Sequence, residues 1–288
     1  MAKKLIAIVL LAAGLLTAVL GVMAGNDGAV NQDIIESAVY VPDAKVLPEN
    51  EGKIVLVNGT LTAELPFTDE ETGITLDSVV AYRRVEKAGI EKATEEDEID
   101  TWTWYTMSNE DAYGGSEKLI APNPALGEFT VSDALMQAVG TNEQCKTYSS
   151  AELSASGWND FKDGGIVYLY KGDNMPGEGK EVSYTGGLLG KKNYDYLNYL
   201  DTYRVRYDVI KGDTNLEYTA IGLQKNGVLE EVKELDMTAM VSGHLTVDEM
   251  LEYADTSATT ATITALIIAA VLVALSVLVF IRSRRKHN

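Results

Sequence analysis

Two long apolar runs without charge, one near each end, most limit what this chain can fold into. The first covers residues 5–24 and the second covers residues 263–281. A helix rises about 1.5 Å per residue, so about 20 apolar residues cross the hydrocarbon core of a bilayer, which is roughly 30 Å thick. The runs therefore predict two transmembrane helices, at 5–24 and 259–281, with most of the chain between them.

Basic residues flank both runs on the side of the chain ends. They are Lys3, Lys4, Arg282, Arg284, Arg285 and Lys286. Segments rich in Lys and Arg stay in the cytoplasm during membrane insertion. We therefore expect an integral membrane protein with both termini cytoplasmic and residues 26–260 extracytoplasmic.

The first run has an alternative interpretation as a cleaved signal peptide. Lys3 and Lys4 fit the basic start of such a peptide, and Val22 to Ala24 offers small residues at the offsets of a cleavage site. The run is longer than the apolar part of most signal peptides, which favours a retained anchor. The expected segments are a cytoplasmic tail at 1–4, a transmembrane helix at 5–24, a juxtamembrane linker at 25–47, a β-rich domain at 48–258, a transmembrane helix at 259–281 and a basic cytoplasmic tail at 282–288.

The segment between the runs is strongly acidic. It holds all 43 Asp and Glu but only 18 of the 24 Lys and Arg, a net charge of −25. This charge repels the phosphates of nucleic acid, so we expect no nucleic-acid partner. Cys145 is the only cysteine, which excludes an intramolecular disulfide. An acidic, cysteine-poor domain outside the cytoplasm favours a bacterial plasma membrane over an endomembrane.

The middle segment has the pattern of a β-rich α+β domain flanked by N- and C-terminal transmembrane helices. Asn58-Gly59, between two β-branched stretches, predicts a tight hairpin turn. Ser132 or Thr130 is the expected N-cap of a short helix, and Thr246 with Glu249 forms a capping box. Further strands are predicted at 77–86, 101–107, 165–171, 181–186, 202–210 and 216–224, and the charge run 91–100 is expected to be a loop or a frayed helix.

Aromatic residues provide a candidate interaction surface. Alternation along a strand places Trp102 and Trp104 on one face. Tyrosines concentrate later in the chain and include Tyr194, Tyr196 and Tyr199. Packing within a sheet is the alternative role for both groups, because aromatic rings suit half-buried sheet surfaces.

No arrangement of residues in the sequence matches a known catalytic or cofactor-binding motif. His244 is the only histidine of the middle segment, so a catalytic triad has one candidate and no surrounding motif. The segment Gly186–Lys192 lacks the spacing and the hydroxyl residue of a phosphate-binding loop. We therefore expect no catalytic residue, no cofactor and no metal site.

Small residues four apart occur in both apolar runs. They are Gly14 with Ala18, Ala265 with Ala269 and Ala270 with Ala274. This spacing lets transmembrane helices approach closely. It predicts association of the two spans with each other or of two chains.

Several strings resemble the transmembrane protein 43 family, also called LUMA. The string LPENEGKIVLVNGTL at 47–61 resembles the start of the domain that follows the first span in that family, and VVAYRRVE, WTWY, LGEFTVSDALMQAV and YRVRYDVI follow in the same order. After Glu86 the chain reads KAGIE where an aromatic continuation is expected, and it has one C-terminal span where animal members have several. The residues that carry the resemblance, with no assigned role, are Pro48, Glu49, Asn50, Glu51, Gly52, Lys53, Arg84 and Glu86.

The resemblance implies a role in scaffolding membrane complexes, because animal members reside in the endoplasmic reticulum and inner nuclear membrane. We expect a short, bacterial relative: a non-enzymatic membrane scaffold whose partners are the lipid bilayer and other membrane proteins or itself. The alternatives are an extracytoplasmic sensor or ligand-binding module that uses the Tyr-rich region, and a hydrolase that acts through carboxylates.

Overall fold

The fold is taken from a computed structural model of the chain. It describes residues 2–91, 101–108, 112–172, 180–183, 192–195, 202–210 and 216–284. The helices are α1 (Ala2–Ser37), α2 (Asp133–Met136), α3 (Ser150–Ser156) and α4 (Val247–Arg284), and a 3₁₀ turn covers Pro48–Asn50. The strands are β1 (Val39–Val41), β2 (Ile54–Thr62), β3 (Phe67–Thr68), β4 (Thr75–Leu76), β5 (Val80–Glu91), β6 (Thr101–Thr106), β7 (Glu117–Ile120), β8 (Ala125–Leu126), β9 (Phe129–Val131), β10 (Glu143–Gln144), β11 (Asn159–Asp163), β12 (Ile166–Tyr170), β13 (Lys180–Ser183), β14 (Lys192–Asp195), β15 (Tyr203–Val209), β16 (Glu217–Lys225), β17 (Val228–Glu230) and β18 (Met240–Ser242).

The chain is strand-rich, and long apolar helices flank its β-sheets at both ends, as the sequence predicts. It divides into two compact units. Unit 1 comprises residues 1–60, 126–138 and 217–288, and unit 2 comprises residues 61–125 and 139–216. The two long helices therefore belong to the same unit although they lie at opposite ends of the sequence.

In unit 1, α1 and α4 pack against each other in antiparallel fashion. They have 36 and 38 residues, so each is about 55 Å long and exceeds the thickness of a hydrocarbon core. Their apolar windows are only 17% and 11% buried, which distinguishes them from the core helices of a globular domain. Residues 25–37, assigned by sequence to the linker, continue α1 as helix.

The sheet of unit 1 closes into a hydrogen-bonded ring of five strands. Its order is β2, β8, β9, β17 and β16, and β16 pairs back to β2 in antiparallel register. Strand β1 joins β2 in parallel, and β18 joins β16. This closed arrangement leaves few free strand edges in unit 1.

The predicted hairpin at Asn58-Gly59 is wrong, because β2 runs straight through both residues. The Asn58 side chain is buried, where its amide donates to the Tyr40 hydroxyl at 3.0 Å and to the Leu245 carbonyl at 2.9 Å. Gly59 stands where a Cβ atom would approach that of Ala44 to 2.8 Å. Asn58 and Gly59 therefore serve long-range packing inside a strand rather than a turn.

Unit 2 is built on an antiparallel sheet in the order β11, β12, β15, β5 and β6, with β7 on β5 and β10 on β15. One face of the sheet packs on a core that includes Val85, Leu169, Val205 and Trp158. The opposite face carries arginines, acids and aromatic rings, as described below. A two-stranded ribbon of β3 and β4 adds Leu76 to the core, together with the preceding residue Ile74.

The predictions from local sequence signals are largely confirmed. Ser132 caps α2, and Thr246 and Glu249 form the expected capping box of α4, with the Glu249 carboxylate accepting from the Thr246 amide at 2.7 Å. The other predicted strands correspond to β5, β6, β12, β13, β15 and β16. Most of the charge run 91–100 lies outside the described residues.

Candidate functional site

The contact between α1 and α4 follows a column of small residues in α1. Ala7, Gly14, Gly21 and Gly28 recur every seven residues, which is nearly two helical turns, and all four are buried. A Cβ atom at Gly14 would lie 3.1 Å from the Ala269 carbonyl oxygen. The two helix backbones are therefore as close as glycine permits.

Two hydroxyl groups of α4 bind backbone carbonyls of α1 along this column. Ser276 donates to the Ala7 carbonyl at 2.7 Å, and Thr262 donates to the Gly21 carbonyl at 3.2 Å. Hydrogen bonds between membrane helices contribute about 0.6 kcal/mol each on average. The column of small residues and these two hydroxyls are called the helix seam below.

The predicted association of the two spans with each other is confirmed within the chain. Of the paired small residues, Gly14 lies in the helix seam, and Ala265 and Ala269 of α4 contact it. Ala18 is half-buried, whereas Ala270 and Ala274 are exposed on the outer side of α4. The four-residue spacing therefore identified contact residues in both helices but not the column itself, whose spacing is seven.

The C-terminal end of α1 and the N-terminal end of α4 pack into the core of unit 1. Ile35, Met250 and Ala254 pack with Leu56 of β2 and Ile221 of β16. The nearby Asn31 side chain bonds the backbone of Asp236 twice, donating to its carbonyl at 3.1 Å and accepting from its amide at 2.9 Å. The helix pair and the sheet ring therefore share one continuous core.

The basic residues near the chain termini lie at the start of α1 and at the end of α4. Lys3 and Lys4 are in the first turns of α1, and Arg282 and Arg284 are in the last turn of α4. Since the helices are antiparallel, these four positions share one end of the pair. Arg285 and Lys286 lie outside the described residues.

The family-motif residues Pro48, Glu49, Asn50, Glu51, Gly52 and Lys53 form a turn that holds the β16–β17 hairpin. The Glu51 carboxylate accepts from the Asn226 amide at 3.0 Å, and the Gly52 amide donates to the Gln224 carbonyl at 2.9 Å. Gly52 adopts a positive φ of 74°, which glycine tolerates best. In the described structure these residues act in folding, and any further role stays a prediction.

The other two family-motif residues, Arg84 and Glu86, project from the same face of β5. Glu86 pairs with Arg204 of β15 at 2.6 Å. The Arg204 guanidinium lies between two rings, 4.1 Å from the Trp104 centroid and 3.8 Å from the Tyr168 centroid. Cation–π contacts of this kind, partly shielded from water, hold an arginine in one orientation.

The structure describes one side chain of the predicted aromatic surface, that of Trp104, which is half-buried against Arg204. Trp102 lies two residues away on β6 and Tyr194 lies on β14, but their side chains are outside the described part. Tyr196 and Tyr199 also lie outside it. Within the described residues, the side chains of the predicted aromatic surface are therefore not seen together. The role of this surface in interaction stays a prediction.

Sequence reasoning missed a buried ionic cluster in unit 2. Arg83 is fully buried, with Nη1 2.6 Å from Asp69 and Nη2 2.6 Å from Glu117. The Tyr207 hydroxyl donates to the other Asp69 oxygen at 2.6 Å and lies 2.6 Å from the Thr72 hydroxyl. The signal was present in the alternation of β5, which places Arg83 on the core face between Ala81 and Val85.

The protonation of this cluster follows from its burial. Burial lowers the pKa of Arg83, but the hydrogen bond and the charge of Asp69 more than offset this effect and leave it raised. Burial, followed by the charge of Asp69, raises the pKa of the Tyr207 hydroxyl well above its ordinary value. Arg83 is therefore charged and Tyr207 neutral at neutral pH, and loss of the Asp69 carboxylate would leave the Arg83 charge buried without its counter-charge.

An open acidic groove of about 570 Å³ lies beside the cluster in unit 2. Its acidic lining residues are Glu64, Asp69, Glu70, Glu71 and Glu117. Asp69 and Glu117 already bind Arg83, and Glu64 accepts from the Asn123 amide at 2.7 Å. In the described part of the chain, no three His, Cys, Asp or Glu side chains converge closely enough to hold a metal ion.

Comparison with known protein families gives a match over residues 93–285, to the family described as transmembrane protein 43. The chain belongs to the transmembrane protein 43 family. The match covers more than half of the chain and includes unit 2 from β6 onward and the whole of α4. No curated protein and no solved structure matches the chain.

Family membership confirms the resemblance seen in the sequence. The matched range also shows which segments carry the family assignment. The matched region begins after Lys53, so the family assignment does not depend on the Pro48–Lys53 string. It includes α4, the more apolar of the two helices. Together, two apolar helices and membership of the transmembrane protein 43 family identify a membrane protein.

Proposed function

We propose that this chain is a non-enzymatic, two-span membrane scaffold that holds an acidic, β-rich domain outside the cytoplasm, where it binds other membrane proteins or further copies of itself. The observation that carries the proposal is the continuous core of α1, α4 and the sheet ring. A sheet packed directly on two membrane helices is held firmly relative to the bilayer, as a scaffold requires.

The position of the basic residues supports the proposed topology. Because α1 and α4 are antiparallel, Lys3, Lys4, Arg282 and Arg284 collect at one end of the helix pair. Basic residues at one end favour insertion with that end in the cytoplasm. Both termini would then be cytoplasmic, and the sheets would lie on the other side, which in a bacterial cell is outside the plasma membrane.

The helix seam supports a retained N-terminal anchor over a cleaved signal peptide. Removal of residues 1–24 would take away Ala7, Gly14 and Gly21, and with them the acceptors of Ser276 and Thr262. Two hydroxyls and a row of small residues on α4 would then face lipid without packing partners. A signal peptide has no reason to place small residues at every seventh position against the C-terminal span.

A cysteine cross-link tests retention and pairing together. In a Cys145→Ser background, oxidation of a Gly21→Cys, Ala265→Cys chain in membranes should link the two helices, because a Cβ at Gly21 would lie 3.0 Å from that of Ala265. The matched control, Ala12→Cys with Ala265→Cys, places one thiol on the exposed side of α1 and should not link. A mature chain whose mass begins near Gly25 would refute the double anchor.

Thiol accessibility tests the orientation. In the same background, Asp160→Cys, an exposed position of unit 2, should react with a membrane-impermeant maleimide in intact cells. Asn288→Cys should react only after the membrane is permeabilised. The reverse pattern would refute the proposed orientation.

The scaffold role itself predicts stable neighbours in the membrane. Cross-linking of the full chain at its native level in membranes should yield species that contain a second copy or another integral membrane protein. Recovery of the chain solely as a monomer would contradict the scaffold role, while the topology would stand or fall by the thiol experiments alone.

A further inference from the structure

Three arginines lie on the face of the unit 2 sheet opposite its core, and their counter-charges are distributed unequally. In the antiparallel register of β5 and β15, Arg204 stands opposite Glu86, and Arg206 stands opposite Arg84. Arg204 is neutralised, since it pairs with Glu86 at 2.6 Å and with Asp163 at 3.2 Å. Arg84 and Arg206, called the arginine pair below, have fewer carboxylates close to them than Arg204 has.

The arginine pair consists of like charges directly across two neighbouring strands, an arrangement that destabilises a sheet unless a counter-charge is present. The nearby Asp208 carboxylate lies 3.6 Å from Nη2 of Arg206, too far for a good hydrogen bond. Among the described residues, no carboxylate pairs with Arg84, and its guanidinium carbon lies 5.7 Å from the centroid of the Tyr82 ring. Arg206 therefore has one loosely placed carboxylate, and Arg84 has none among the described residues.

Hydrogen bonding gives an independent indication of a missing anion. The Nε atoms of Arg84 and Arg206 are both buried and have no acceptor in the described part of the chain. Buried donors of charged groups are normally satisfied, and leaving one unsatisfied is costly. The Arg206 side chain is still 18% exposed, so it is open in part to solutes.

We infer that the arginine pair binds a tetrahedral oxyanion, namely the phosphate group of a small molecule or of a lipid headgroup. A carboxylate has two oxygens and matches one guanidinium fork, whereas a phosphate has enough oxygens to accept from two forks at once. Arg84 and Arg206 carry two positive charges and Asp208 one negative charge, so one positive charge is left for a bound oxyanion to offset. The strongly acidic composition of the middle segment makes such a local excess of positive charge unusual in this chain.

The test uses the full chain in phosphatidylcholine nanodiscs and follows thermal unfolding by tryptophan fluorescence. All three tryptophans lie in unit 2, so the signal reports the unit that carries the pair. Inorganic phosphate should raise the unfolding midpoint above that in chloride of equal ionic strength. The rise should disappear in Arg84→Gln and in Arg206→Gln and persist in Lys162→Gln, which removes an exposed positive charge from β11 of the same unit.

A second readout separates a binding role from a structural one. Without phosphate, Arg84→Gln and Arg206→Gln should unfold at or above the midpoint of the unchanged chain, because each removes the repulsion within the pair. A lower midpoint would assign the arginines to folding and overturn the inference. An equal rise with acetate in place of phosphate would overturn the choice of a tetrahedral anion.

The source of the phosphate is decided by changing the lipid. Nanodiscs that contain phosphatidic acid, in phosphate-free buffer, should raise the midpoint if the headgroup is the ligand, and a response confined to inorganic phosphate would assign a soluble ligand. No response to either form of phosphate would refute the site.

Discussion

The two units bury polar groups of different kinds. In unit 1 the buried polar residues among those described are neutral: Asn31, Asn50, Asn58, Thr219, Gln224 and Ser276. Unit 2 buries ions, with Arg83 and Arg204 held by Asp69 and Glu86. Neutral groups need only hydrogen-bond partners, whereas buried ions also need opposite charge.

The comparison indicates that the units respond differently to mutation and to pH. Loss of one hydrogen bond from a neutral network leaves a polar group without a partner, whereas loss of one ion leaves a charge in a medium that solvates it poorly. Unit 1 is thus expected to be the more tolerant to change, as suits a part that anchors the chain. Unit 2 is expected to hold its conformation only while its charges stay matched.

The largest effect is expected from Asp69→Asn, which leaves Arg83 without its buried counter-charge. Breaking a buried ion pair by removing one partner costs about 3–5 kcal/mol. The free energy of unfolding of unit 2, followed in denaturant by tryptophan fluorescence, should fall by that amount. Asp163→Asn is the matched control, because Asp163 is 63% exposed and its pair with Arg204 should contribute little. Equal losses in the two variants would remove the distinction between buried and exposed ions.

A smaller effect is expected from Thr219→Val in unit 1. The Thr219 hydroxyl donates to Asn58 at 2.6 Å and accepts from the Leu245 amide at 2.7 Å, so the change takes this partner from the buried Asn58 oxygen and from the partly buried Leu245 amide. The expected loss is about 1–3 kcal/mol. Hydrogen exchange of the β16 and β18 amides measures it.

The control for this prediction is Thr60→Val, on the same sheet. The Thr60 hydroxyl is exposed and bonds only the Glu217 carboxylate, so a change within about 0.5 kcal/mol is expected. If Thr219→Val destabilised unit 1 as much as Asp69→Asn destabilises unit 2, neutral and ionic networks would not differ as proposed.

Features set by nearby residues could be predicted from the sequence. The capping box of α4 depends on Thr246 and Glu249, three residues apart, and the period-2 pattern of β5 is read within ten residues. The two apolar helices follow from composition alone. In the helix seam, four-residue spacing indicated small contact residues, but the seven-residue column depends on which side of α1 meets α4.

Features set by distant partners could not be predicted. Asn58-Gly59 has the local signature of a turn, yet Tyr40 and Leu245, the latter 187 residues away, hold Asn58 inside a strand. Arg83 could be placed on the core side of β5, but its partners Asp69 and Glu117 lie on separate segments. The arginine pair likewise depends on the register of β5 with β15, which local sequence does not specify.

The smallest effect is expected at alkaline pH. Burial raises the pKa of Tyr207, so the unfolded chain loses this proton first as pH rises above about 10. The stability that the neutral hydroxyl contributes is therefore present below that pH and declines above it. Half-buried Tyr148 and Cys145 act in the same direction, because desolvation raises the pKa of both.

Tyr207→Phe tests this dependence, since it removes the titrating hydroxyl and keeps the ring in the core of unit 2. The variant should be less stable than the unchanged chain at pH 8, because Asp69 and Thr72 lose a hydrogen-bond partner. Its stability should then fall less steeply between pH 9 and pH 11, roughly the range in which free cysteine and tyrosine begin to ionise. The tryptophan signal confines the measurement to unit 2, because buried Tyr218 of unit 1 also has a raised pKa. If the slope were unchanged, Tyr207 would not control the alkaline response. Ionisation of its hydroxyl would then have no effect on the stability of the Arg83–Asp69 cluster in unit 2.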